Sequence, residues 1–349
     1  MYWEKLKMIY KMQKNTLLIC FSLILLSFSS CKEENDIERV SIEPILVKTD
    51  LLTSMPGELL AMEDKLIWFD LNPDAFLHIE DEKTGNTWTE TGTLGSGPED
   101  FNAPFLSWYP NGKVLVTDCF ANRAMVLSLE NMSRTDLDVP FSKKSLQCIG
   151  NGLFIQPNTE NGSPFTFWAN GKGTAFGKFP LENEKISNTI DKFQGIHAFN
   201  PYNGYLIQSF PELSHIMLYR LEGNTFEEIW TKVLPDLDYQ INSEGVLKIN
   251  DVPHPAPSAI ALTKDYIITI ERDEQTQEVE TKSSSENRFV RAFSKTPQTL
   301  FVYDYEFNLK KILHTKIPMF RLTERGNDNT VYLIGVKEEF CIGKCIIEE

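Results

Sequence analysis

Three acidic residues, Asp70, Asp118 and Glu271, each close a short β-branched or aromatic run, in KLIWFD, KVLVTD and YIITIE. Carboxylates at strand ends could offer hard oxygen ligands to a calcium ion, or could cap the backbone amides of solvated turns. With 49 Asp and Glu in the chain, such placements also arise without any site. His254 lies in DVPHPAP, where the flanking prolines stiffen the backbone and make it the best candidate for a pocket-lining imidazole. The other histidines, His78, His197, His215 and His314, form no His-x-His or His-Glu-x-x-His pairing, so zinc chemistry has no support. Ser96 sits between glycines but lacks the strand–turn–helix context of a nucleophile elbow. Gly95, Gly97 and Pro98 likewise lack the helix and lysine of a phosphate loop. They are expected to shape a turn, with glycine supplying positive φ, Pro98 fixing the next φ and Phe101 anchoring the loop in apolar core. The motifs disclose no reaction.

The elements that would position these residues repeat. Six similar runs occur at 65–70, 113–118, 152–157, 205–210, 266–271 and 330–335, several of them after an Asn, Asp or Gly turn. Each reads as the inner strand of one β unit, and the spacing of the units is close to that of propeller blades. The 19 Gly and 18 Pro are spread along the chain, as many short strands joined by tight turns require. No window carries apolar residues at helical period over three turns, which excludes an α/β enzyme fold. Two sandwiches would leave six similar units unexplained. The expected fold is therefore all-β, a single six-bladed β-propeller over residues 40–349. Closure would set residues 40–48 beside the last strands, near 330–347. Residues 271–295, polar and without apolar periodicity, are expected to be a long loop or an extended hairpin.

The N-terminus reads as an address. Lys5, Lys7, Lys11 and Lys14 precede the apolar run of residues 16–28, which is too short for a membrane span of about 20 residues and matches a signal peptide over 1–30. Ser29-Ser30-Cys31 resembles a bacterial lipobox, with Phe28 standing where Leu, Val or Ile is usual. That resemblance implies that Cys31 is acylated and tethers the body to a membrane, several acyl chains giving an anchoring that one chain cannot. The acidic stretch after Cys31, within a tether spanning 31–39, resembles the export signal of surface lipoproteins. Losing residues 1–30 removes four Lys and one Glu, which takes the formal charge from −15 to −18. Such an acidic body excludes nucleic acid as a partner and disfavours anionic lipid beyond the anchor. Of the cysteines in the body, Cys341 and Cys345 could close a small loop across a hairpin turn, while Cys119 and Cys148 stand apart.

The element LGSGPEDF at 94–101, the six strand units and the lipoprotein start together resemble the TolB-like six-bladed propeller lipoproteins of Bacteroidetes. Glu99 replaces the third glycine of the related element, while Asp100 and Phe101 keep its acidic–aromatic pair. The resemblance spans residues from about 50 onward and implies a propeller at the outer membrane, on the cell surface or facing the periplasm. It implies little chemistry. The expected role is a non-enzymatic binding or scaffold module for a glycan, peptide or partner protein, without a cofactor. The alternative is a calcium-dependent hydrolase or lyase, because propeller hydrolases of similar architecture hold calcium in the channel with acids from several blades.

Overall fold

The β-branched runs fold into strands, and the strands assemble into six antiparallel sheets of four or five members, the blades of a propeller. The computed structural model describes residues 37–348 except 54–55, 71–74, 99, 158–162, 182–183, 185, 188–194, 234–237, 252–256, 258 and 272–295. The signal segment, Cys31, most of the tether, His254, Glu99 and nearly all of the 271–295 segment lie outside the described residues. Arg39–Glu349 forms one compact unit, and of the other, Met1–Glu38, only Ile37 and Glu38 are described.

Blade one shows the pattern, with Leu59–Met62, Lys65–Phe69, Leu77–Asp81 and Thr87–Thr91 running from the axis outward. The innermost strands of the other five blades are Pro104–Tyr109, Gln147–Gly150, Ile196–Phe199, Ala259–Leu262 and Met319–Glu324. The six runs singled out in the sequence are therefore second strands rather than inner ones. The reason is burial. A second strand is covered on both faces, as in Thr330–Val336, all seven of whose residues are buried, and so reads as continuous apolar sequence. An innermost strand faces the axis with one side and carries polar residues there.

Six hydrophobic clusters fill the wedges between neighbouring blades. Between the first two blades Ile67, Leu77 and Ile79 meet Leu106, Val114 and Val116, and each fully buried aliphatic side chain contributes about 1.5–3 kcal/mol. The core is thus a ring of wedges, and the axis is left for other use.

The ring closes where the sequence suggests, with one difference. Ile45–Lys48 adds to the sixth blade, pairing Ile45 with Lys344 and Leu46 with Gly343. The preceding strand, Glu38–Ser41, instead extends the fifth blade as its outermost member. Pro44 separates the two, since a residue without an N–H donor cannot continue a ladder. Lys48 then reaches blade one, 3.4 Å from Glu80 and 3.0 Å from the Thr87 hydroxyl. An added hairpin, Asp238–Ile241 with Leu247–Asp251, follows the fourth blade in sequence and anchors through buried Leu247 in the cluster between the third and fourth blades.

Two local expectations change in detail. Cys341 and Cys345 both lie in Phe340–Ile346, which puts their Cα atoms about 13 Å apart, beyond the reach of a disulfide. Both are free and buried. In the 94–101 turn neither Gly95 nor Gly97 has positive φ; Gly92 does, at 89°. The glycines are needed for close approach, because a Cβ on Gly95 or Gly97 would lie 2.4 or 2.7 Å from Asp100 Oδ2. Asp100 accepts from the Gly97 amide at 2.8 Å and the Thr93 hydroxyl at 2.9 Å. Arg123 donates to the Pro98 carbonyl and lies over the ring of Phe101, which is 1% exposed and packs on Phe76.

Candidate functional site: the axial channel

The innermost strands surround a cavity of about 190 Å³, to which all six blades contribute. Polar side chains enter it where an axial strand interrupts its apolar pattern: Glu58 ahead of the first strand, Gln147 on the third, His197 on the fourth, and Arg321 and Glu324 on the sixth. Phe105 of the second blade supplies an aromatic wall.

The polar groups are only partly satisfied by the protein. Glu58 Oε2 accepts from the Leu106 amide at 2.8 Å. Arg321 donates from Nε to the Gly57 carbonyl at 2.9 Å and from Nη1 to that of Phe320 at 3.0 Å. A guanidinium has five N–H donors, so the Nη2 side remains for a ligand. The His197 ring lies edge-on to Phe165 and tilted to Phe105. Among the described residues its buried Nε2 has no hydrogen-bond partner, and neither has Gln147 Oε1. Gln208, the register partner of His197 on the next strand, also has an unpartnered Oε1 and is 5% exposed. A buried polar atom left unpaired costs about 1–3 kcal/mol, so three within one region mark a place built to meet another polar group. Neighbouring innermost strands pack closely around the ring except between the third and fourth blades, the seam that Gln147 and His197 flank.

Burial sets the charges. It pushes the Glu58 carboxyl up to about 7, against the Leu106 amide and the Arg321 charge, which pull it down. It pushes Glu324 up to about 8, against backbone amides including that of Leu262. It pulls the His197 imidazole down to about 4, so the ring is neutral near pH 7. Near neutrality the cavity therefore holds Glu58 about half-protonated, Glu324 mostly protonated, a neutral imidazole and the Arg321 guanidinium beside Glu58. Arg325, at the far end, is tied to Glu82.

The acids predicted from sequence sit one strand further out and do not converge. Asp118 is fully buried, and its carboxylate accepts the amides of Asn102, Phe120 and Ala121 at 2.5–2.8 Å. Burial raises its pKa, but those donors outweigh burial and hold it below the ordinary range. Asp70 lies 3.2 Å from His78 Nε2, on a ring that stacks on Trp68. Glu271 accepts from Thr269 at 2.5 Å and Tyr303 at 2.9 Å, and burial raises its pKa against those two bonds. None of the three lines the cavity. Among the described residues no group of three acids, histidines or cysteines could hold a metal ion.

Fold and channel define a class: a six-bladed β-propeller with a polar, partly unsatisfied axial cavity. No protein-family model matches the chain, and no curated protein matches it. Solved structures resemble it in fold. A DUF4221-family protein of Bacteroides vulgatus aligns over 90% of this chain and 98% of its own length, with TM-score 0.58 and 10% identity. A protein of Bacteroides fragilis assigned as exported aligns over 89% and 99%, with TM-score 0.54 and 11% identity. At such identities the likeness is one of fold. Among the described residues no helix is long and apolar enough to cross a membrane.

Proposed function

We propose that the chain is a TolB-like propeller lipoprotein of the outer membrane, anchored through Cys31, whose axial channel binds a ligand without transforming it. One observation carries the binding reading: Gln147 Oε1 and His197 Nε2 are buried in the cavity wall with no hydrogen-bond partner among the described residues. Glu58 and Glu324 are the acids that line the channel, and among the described residues no group of three acids, histidines or cysteines could hold a metal ion beside them. The cavity volume of about 190 Å³ is below the 300–1,000 Å³ usual for larger ligands, so the channel takes one end or one unit of a glycan or peptide. The address rests on the lipobox-like start. The Bacteroides fold neighbour assigned as exported is in keeping with it.

The test is a glycan and peptide array probed with the full chain in nonionic detergent, beside the double variant Gln147→Leu/His197→Phe. Wild-type signals should be lost in the variant while its melting temperature stays within a few degrees. Equal binding by the two would place recognition elsewhere on the propeller and overturn the channel reading.

A further inference from the structure

We propose that the axial cavity, taken as the ligand site above, accepts a single uronic acid unit, its carboxylate on the Arg321 guanidinium and its ring hydroxyls on Gln147 and His197. Arg321 uses Nε and one Nη1 donor on the carbonyls of Gly57 and Phe320, leaving Nη2 without a hydrogen-bond partner among the described residues. Guanidinium and carboxylate match as fork and fork. The other unsatisfied groups narrow the rest of the ligand. Gln147 Oε1 needs a donor, and His197 Nε2 can donate or accept according to tautomer. A hydroxyl meets both needs. A second carboxylate would be repelled by the Gln147 oxygen, and an ammonium could serve only the acceptor. Phe105 offers an apolar wall of the kind on which the C–H face of a sugar ring packs. A peptide C-terminus has the carboxylate but lacks the row of hydroxyls.

The surrounding charge sets how many negative groups the ligand carries. A chain with formal charge −15 repels a polyanion at long range, whereas one carboxylate can be neutralised at Arg321. The ligand is therefore a singly charged terminal unit rather than a run of acidic sugars.

The groups facing the carboxylate position make binding depend on pH. Glu58 approaches Arg321 from the first blade, and Glu324 lies on the same strand as Arg321. The thiol of Cys119, an exposed residue after the second blade's second strand, is held up by local desolvation and by the charges of Glu58 and Asp118. His197 is neutral, and Arg325 is neutralised by Glu82. Between pH 6 and pH 8.5 Glu58 and Glu324 both gain charge in the cavity, and Glu58, the carboxyl that acts on Arg321, competes with the ligand for that guanidinium. Affinity should weaken roughly tenfold or more over that range.

The experiment is calorimetric titration of the full chain in nonionic detergent with methyl β-glucuronide, methyl β-glucoside and N-acetylalanine at pH 6 and 8.5. The expected result is binding of the glucuronide alone, tighter at pH 6, lost in Arg321→Gln and weakened in Arg321→Lys. Glu58→Gln should retain binding with a smaller pH response, and melting curves of the variants show that they are folded. Preference for N-acetylalanine, equal binding of the neutral glucoside, or a glucuronide affinity unmoved by Arg321→Gln would each overturn the proposal. If the neutral sugar binds and is lost in Gln147→Leu/His197→Phe, the uronate assignment falls while the binding channel stands. Loss of neither in that double variant removes both.

Discussion

Replacing Asn200 with Ala should lower the melting temperature by roughly 8 °C, the largest single-residue loss expected in the propeller. Asn200 is fully buried at the axial end of blade four. Its Nδ2 donates to the carbonyls of Leu262 and Gly326, each at 2.8 Å, and lies 3.2 Å from that of Thr263. Its Oδ1 accepts from the Tyr202 amide at 2.8 Å. One side chain thus joins the fourth, fifth and sixth blades. Without it, carbonyls on two blades and an amide on a third lose their partner where water has little access. Two or three such groups at about 1–3 kcal/mol each give a loss near 4 kcal/mol. At about 2 °C per kcal/mol for a domain of this size, that is the stated drop. Gly326 backs the same contact with φ 81°, and a Cβ there would lie 2.7 Å from Asn200 Oδ1, so Gly326→Ala should act in the same direction. A melting curve of Asn200→Ala that overlays the wild type would show that the three blades are held without this bridge.

Glu324→Gln should do little at pH 5 and stabilise the protein at pH 8.5, by on the order of 4 kcal/mol or several degrees in melting temperature. In the unfolded chain a glutamate titrates near 4.5, whereas in the fold burial holds Glu324 up to about 8. The native state keeps a proton that the unfolded state releases, so stability falls as pH rises from about 4.5 to about 8 and levels off beyond. Glu58 adds a parallel fall that ends near 7. His197 acts in the opposite sense: its native value of about 4 lies below the ordinary 6.5, so stability is lost as pH falls between those values. A glutamine at 324 keeps the acceptor for the Leu262 amide and removes the buried charge. Thermal melts at the two pH values measure the difference, and equal gains at both would mean that Glu324 is ionised throughout.

The outer architecture was legible in the sequence and the axis was not. Runs such as KVLVTD stand out because second strands are buried on both faces, and six of them were enough to define the propeller. The same property hid the site. Innermost strands such as QCIG, IHAF and MFRLTE are short and mixed in polarity, since one side faces the cavity, and nothing local separates them from turns. Glu58 and Arg321 meet across the closure between the first and last blades, more than 260 residues apart in sequence, a juxtaposition that no spacing reveals. Asp118 illustrates the converse. A strand-end acid before a short polar turn looks like a ligand, yet three neighbouring amides claim it. The 94–101 turn was located by its residues, but the need for glycine lay in the approach of Asp100, which a sequence does not show.

The central claim is a binding channel that works without a metal, and the most direct measurement is a thermal melt of the full chain in nonionic detergent with millimolar calcium and then with excess chelator. A metal held by the native state must raise stability by mass action, about 2.7 kcal/mol at a hundred times the dissociation constant. The account predicts superimposable melting curves. A calcium-dependent rise of several degrees, reversed by chelator, would contradict it and turn the reading toward a calcium-dependent hydrolase or lyase.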